Sequence, residues 1–113
     1  MSMDDLLREL QVEYINSIPE KVVELRDFFA NKDLENLINA FHKLKGSGKT
    51  YGLDEVTLLG QFFEMWLREK GEKALPFTLK AVEILEKIYQ SRLGGNRYSI
   101  ETDQEFLKLE ELK

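Results

Sequence analysis

The chain contains no cysteine, which excludes disulfides and thiolate metal centres alike. Basic excess is missing too: the net charge is −5, which lowers the odds of a nucleic-acid binder, since phosphates must be neutralised by a surplus of lysine and arginine. Nowhere do eighteen apolar residues run together, so no membrane span is expected. The opening Met1-Ser2-Met3-Asp4-Asp5 is acidic and lacks the basic start and apolar stretch of a secretory signal, so the default compartment is the cytoplasm. Proline is limited to Pro19 and Pro76, and histidine to one residue, His42. What the chain does have is 42% hydrophobic residues, with seven Phe, four Tyr and one Trp, in 113 residues. That is enough for the core of one domain and too little for a two-domain enzyme with its own nucleotide site.

The apolar spacing is helical almost throughout. Met3, Leu6, Leu7, Leu10 and Tyr14 follow the pattern of a buried stripe. Pro19 interrupts it, and Ser17 before and Glu20 after suit either the first turn of a new helix or a kink in a long one. Val22, Val23, Leu25, Phe28 and Phe29 continue to Ala30, and Asn31-Lys32-Asp33 reads as a turn with Asp33 as N-cap. A second helix presents Leu34, Leu37, Ile38, Phe41 and Leu44 and stops at Gly52. Asp54 is expected to cap a third, carrying Val56, Leu59, Phe62, Phe63 and Trp66 and ending at Gly71. A fourth begins around residues 74–76 and runs to Leu93, before Gly94-Gly95. No stretch alternates with period two. The expectation is an all-α fold: an antiparallel up-down four-helix bundle over residues 1–95, with an additional N-terminal helix or helix kink. Residues 96–113 form a tail in which Thr102 and Glu105 make a capping-box signature ahead of Phe106, Leu107, Leu109 and Leu112. A short helix docked on the bundle, or a frayed end, is the simpler expectation for this tail; contact with a partner or a second copy is the other.

His42 lies in Ala40-Phe41-His42-Lys43-Leu44-Lys45-Gly46-Ser47-Gly48-Lys49-Thr50-Tyr51-Gly52. At about 100° per residue it falls at the edge of the core stripe, with Lys45, Lys49, Ile38 and Gly46 around it. An imidazole is largely neutral near pH 7 and therefore nucleophilic. Lys45 and Lys49 place positive charge where phosphoryl oxygens would sit. Gly46, one turn on, removes a side chain that would crowd the ring. Gly46 and Gly48 each cost about 1 kcal/mol against alanine in a helix, a cost that fits a need for close approach. On the third helix Thr57, Gln61, Glu64 and Arg68 share one face, which an antiparallel neighbour lays beside His42. A carboxylate taking the Nδ1 proton would leave Nε2 as the nucleophile. Glu64 is the first candidate and Gln61 the second, with Arg68 adding charge. Gly46-Ser47-Gly48-Lys49-Thr50 looks like the end of a phosphate-binding loop, but position 43 is lysine where the first glycine is required, and no strand precedes it.

His42-Lys43-Leu44-Lys45-Gly46-Ser47, closing on Gly52 and followed by Val56 and Phe63-Glu64, resembles the histidine-containing phosphotransfer domain, whose pattern is H-x-x-K-G-S/T with a glycine ten residues after the histidine. The resemblance runs from about Asp4 to Gly95. It implies that His42 is the phosphorylated residue, Lys45 its electrostatic partner, Gly46 the position that keeps the ring accessible, and Glu64 the group that hydrogen-bonds the imidazole. It departs at Phe63, bulkier than the usual leucine, and at the tail, which the minimal domain lacks. It also implies a phosphorelay intermediate without kinase activity or a cofactor of its own. The partners would be response-regulator receivers, which carry the Mg²⁺, and a hybrid histidine kinase; nucleic acid and membrane are not among them. Rival readings are the phosphoacceptor module of a larger chemotaxis-type histidine kinase, a module that binds receivers without transfer, and a bundle used purely for assembly.

Overall fold

The computed structural model describes residues 1–113 and is entirely helical: α1 Met3–Ala30, α2 Leu34–Tyr51, α3 Asp54–Lys70, α4 Thr78–Leu93 and α5 Gln104–Leu112, with single 3₁₀ turns at Gly71–Lys73, Leu75–Phe77 and Ile100–Thr102. The first four helices form an antiparallel bundle. Gln11 reaches Tyr51 and Tyr14 reaches Ser47 between α1 and α2, while Thr57 and Glu64 of α3 meet Lys45 and His42 of α2. Glu55 and Arg92 join the start of α3 to the end of α4.

At Pro19 the longer of the two open readings holds: α1 is one helix of 28 residues. A proline removes one backbone hydrogen bond, and here Ile15 and Ile18 before it and Val22 and Leu25 after it are all buried, so packing carries the helix through. Of the stripe predicted at its start, Tyr14 is buried and Leu10 half-buried, and the first three members are not. Met3, Leu6 and Leu7 are exposed, because the first turns of α1 run past the α2–α3 connection and find nothing to pack against. Val23, also placed in the stripe, faces solvent.

The core is made by Ile18, Leu25, Leu37, Phe41, Leu59, Phe63, Ile84, Leu85 and Ile88, all essentially inaccessible. Asp33 caps α2 as expected, accepting a hydrogen bond from the Asn36 amide, and Gly52 ends it in the left-handed region at φ 77°. Two other caps differ. The N-cap of α3 is the buried Leu53, and Asp54 is the first helical residue, its carboxylate held by Arg97. In the tail the cap is Asp103, which accepts from the Phe106 amide, while the Thr102 hydroxyl donates to the Ser99 carbonyl. A carboxylate one residue closer to Phe106 displaces the threonine as cap.

Residues 96–113 dock on the bundle. Ile100, Phe106 and Leu109 are buried, and Phe106 packs edge-on against Phe62 of α3. Glu55, fully buried, takes two hydrogen bonds from Arg92 and one from the Tyr98 amide. Asp103, also buried, is bonded by Lys87 and by the Tyr98 hydroxyl.

Candidate functional site

His42 and Glu64 each follow a core aromatic in sequence. Phe41 and Phe63 stack across the α2–α3 interface at 5.2 Å between ring centres, which places the next residue of each helix side by side at the rim. The His42 side chain is 57% exposed, whereas Glu64 is only 6% exposed. His42 Nδ1 lies 2.9 Å from Glu64 Oε2.

Glu64 gathers three donors. Arg68, one turn on, donates from Nε and Nη2 to Oε2 at 3.0 and 2.9 Å. Lys45 Nζ stands 2.8 Å from Oε1, off the angle of a good hydrogen bond, so it acts chiefly through charge. Burial alone would push the Glu64 carboxyl up, but its contacts with Lys45, Arg68 and His42 outweigh that and hold it at about 2. An ionised carboxylate only accepts hydrogen bonds. The ring nitrogen facing it must therefore carry the proton, and in the neutral imidazole Nε2 keeps its lone pair and points to solvent.

Of the residues singled out by sequence, His42, Lys45, Glu64 and Arg68 converge. Lys45 and Arg68 are tied to Glu64 rather than standing free beside the ring, although both remain partly exposed. Gln61 is exposed and makes no hydrogen bond to the imidazole, leaving Glu64 alone in that part. Lys49 is exposed and unpaired on the face of α2 that carries His42. Ser47 turns away toward α1: its hydroxyl donates to the Lys43 carbonyl at 2.8 Å and accepts from Tyr14 at 2.8 Å. Its place in the motif is thus a helix–helix contact.

The glycines divide sharply. A Cβ at Gly46 would meet nothing within 4 Å, so its absence relieves no crowding inside this chain; it leaves open space beside the ring. Gly48, by contrast, lies against Thr57 and Leu53, where a Cβ would sit 2.7–2.9 Å from the nearest atoms. Gly60 is equally tight, and sequence reasoning passed over it, although a glycine between Leu59 and Gln61 in mid-helix was a visible signal.

The Hpt domain family model matches residues 9–94. Among curated proteins, the phosphorelay intermediate protein rdeA of Dictyostelium discoideum is 33% identical over 84 residues, covering 71% of this chain and 33% of that protein. The chain thus spans about a third of the length of that relative. No solved structure matches the chain significantly. The match covers α2 and α3 whole, with the His42–Glu64 pair and the glycine-bearing turn between them, and on that extent the chain belongs to the Hpt domain family.

Proposed function

We propose that this chain is a phosphorelay carrier in which His42 Nε2 takes a phosphoryl group from a receiver aspartate and passes it to another. The observation that carries the reading is the tethered, solvent-facing imidazole: Nδ1 held 2.9 Å from Glu64 and Nε2 open beside Gly46. In the forward step the Nε2 lone pair attacks phosphorus, the N–P bond forms as the P–O bond to the aspartyl group breaks, and the carboxylate leaves. The ring gains positive charge as it does so, and the Glu64 carboxylate is already in place to stabilise it. Transfer of this kind depends on in-line positioning and charge stabilisation more than on covalent chemistry by the protein. This chain supplies nucleophile, tautomer and lysine charge; the receiver supplies the carboxylate and its Mg²⁺. Reversal returns the group to a second receiver, so the carrier turns over without kinase activity of its own. The relative named as a phosphorelay intermediate supports the same reading. A hybrid histidine kinase as the upstream donor and a cytoplasmic setting complete it.

The test is incubation with a phosphorylated receiver. The expected result is an acid-labile, base-stable label on His42, absent from His42→Gln, with helicity and melting temperature nearly unchanged in the variant. No label on the wild type overturns the reading. Receiver binding of equal strength with no transfer in either protein would favour a sequestering module.

A further inference from the structure

We propose that Gly60 is a positioning residue for His42: by carrying no side chain it lets α3 settle on the α2 backbone at the depth where Glu64 can hold Nδ1. This rests on the phosphocarrier reading for its functional consequence, though its structural part stands alone.

A Cβ at position 60 would lie 2.6 Å from the Lys45 amide nitrogen, 2.7 Å from the Phe41 carbonyl oxygen and 3.1 Å from Lys45 Cα. All three are backbone atoms, unable to swing aside, and they belong to Phe41, just before His42, and to Lys45, one turn after it. Ordinary contact begins near 3.4 Å, so any larger residue forces the helices apart by several tenths of an ångström. Glu64 follows Gly60 by four residues, on the same face and one turn nearer the ring. Its 2.9 Å contact to Nδ1 has little slack, since N–H···O bonds lie at about 2.7–3.2 Å and also weaken steeply once the angle falls below about 120°. The Phe41–Phe63 stack beneath the pair crosses the same gap.

A second glycine supplies the comparison. Gly48 makes an equally close backbone contact, with a Cβ 2.7 Å from the Thr57 amide and 2.9 Å from the Leu53 carbonyl. It closes the helix pair at the end next to the α2–α3 connection, away from the imidazole. The two ends are joined by the Thr57 hydroxyl, which donates to the Lys45 carbonyl at 3.2 Å. Glycine is a poor helix former, so each position gives up helix propensity for proximity. Only at Gly60 does that proximity set the site.

The experiment compares wild type, Gly60→Ala and Gly48→Ala by ¹⁵N NMR of the His42 ring. Wild type should show a protonated Nδ1 and a lone pair on Nε2. Gly60→Ala should lose that dominance and move toward the Nε2–H form that a free imidazole prefers. Gly48→Ala should melt lower than wild type yet keep the wild-type ring signature. Labelling by a phosphorylated receiver should slow in Gly60→Ala by roughly tenfold to a hundredfold, the scale expected of a misplaced reacting group. If Gly60→Ala does not fold in plain buffer, the ring measurement is repeated on all three proteins in sucrose or TMAO, which stabilise the folded state without altering a residue of the site. A wild-type ring signature in Gly60→Ala overturns the proposal, and so does an equal loss in Gly48→Ala. The ring measurement needs no receiver, so a wild type that takes no label would sink the carrier reading and leave the role of Gly60 to be decided by NMR.

Discussion

Gly46 and Gly60 are both mid-helix glycines four residues from a member of the His42–Glu64 pair, and they answer to opposite constraints. Gly60 is squeezed by backbone, whereas Gly46 has nothing within 4 Å of where its Cβ would be. Gly46→Ala should therefore stabilise the free protein by about 1 kcal/mol through helix propensity, raising the melting temperature by about 4 °C. The same variant should slow transfer from a receiver, because its methyl enters the space the partner needs. Thermal denaturation and a transfer time course on one preparation check both signs; a variant both more stable and equally fast would contradict the role given to Gly46. Glu64 makes a pH prediction. With its carboxyl lowered from 4.5 to about 2, the stabilisation it brings is fully present above pH 4.5 and is lost as pH falls through about 2. Its partners are partly solvated, which reduces the effect to about 2 kcal/mol at pH 7. Urea titrations of wild type and Glu64→Gln should differ by that amount at neutral pH and converge near pH 2. A pH-independent gap would mean that Glu64 acts by packing. His42 and Glu64 were legible because helical periodicity places both at one rim. Gly60 was visible only as a mid-helix glycine, because a one-dimensional pattern does not show which glycine another backbone touches. Nor does it reveal that Lys45 and Arg68 spend their charge on Glu64 before any phosphate arrives.

At the scale of elements, helix number and order followed from periodicity, and the errors lie where burial needs a neighbour. Met3, Leu6 and Leu7 have the spacing of a core stripe, yet spacing says nothing about whether another helix reaches that far. The caps at Asp54 and Thr102 failed for separate reasons: α3 starts after the buried Leu53 with no side-chain cap at all, and in the tail a second polar residue stood one step nearer the amide to be capped. Arg97 takes Asp54, and Asp103 takes the Phe106 amide. The tail is the element whose weight was least visible. Ile100, Phe106 and Leu109 enter the core, and Tyr98 completes the coordination of both Glu55 and Asp103. Burying three such side chains contributes on the order of 5 kcal/mol, comparable with the whole stability of a typical domain. A fragment ending at Gly95 should thus melt far lower than the full chain, or bind a hydrophobic dye as a loosened bundle with Phe62 uncovered. Circular dichroism melting and dye fluorescence check this. A fragment melting within a few degrees of the full chain would show the tail to be an ornament.

On the scale of the whole molecule, a net charge of −5 coexists with a local cluster of Lys45, Lys49 and Arg68 on the side of the α2–α3 pair that carries the imidazole. Composition forecast the overall sign, and only the folded arrangement concentrates the opposite sign at one place, beside the exposed Leu58 and Met65 of α3. A receiver that meets this face must leave again after transfer, which suits a contact at the small end of the interface range. The structure divides its labour accordingly: α1, α4 and the tail make the frame, and the tightly packed α2–α3 pair holds one imidazole in one tautomer at the surface. The most direct test is transfer from a receiver phosphorylated on its aspartate to this protein, followed by mapping of the label. The expected result is a single base-stable, acid-labile phosphoryl group on His42, lost in His42→Gln and formed more slowly in Glu64→Ala. Label on any other residue, or equal labelling of wild type and His42→Gln, would contradict it.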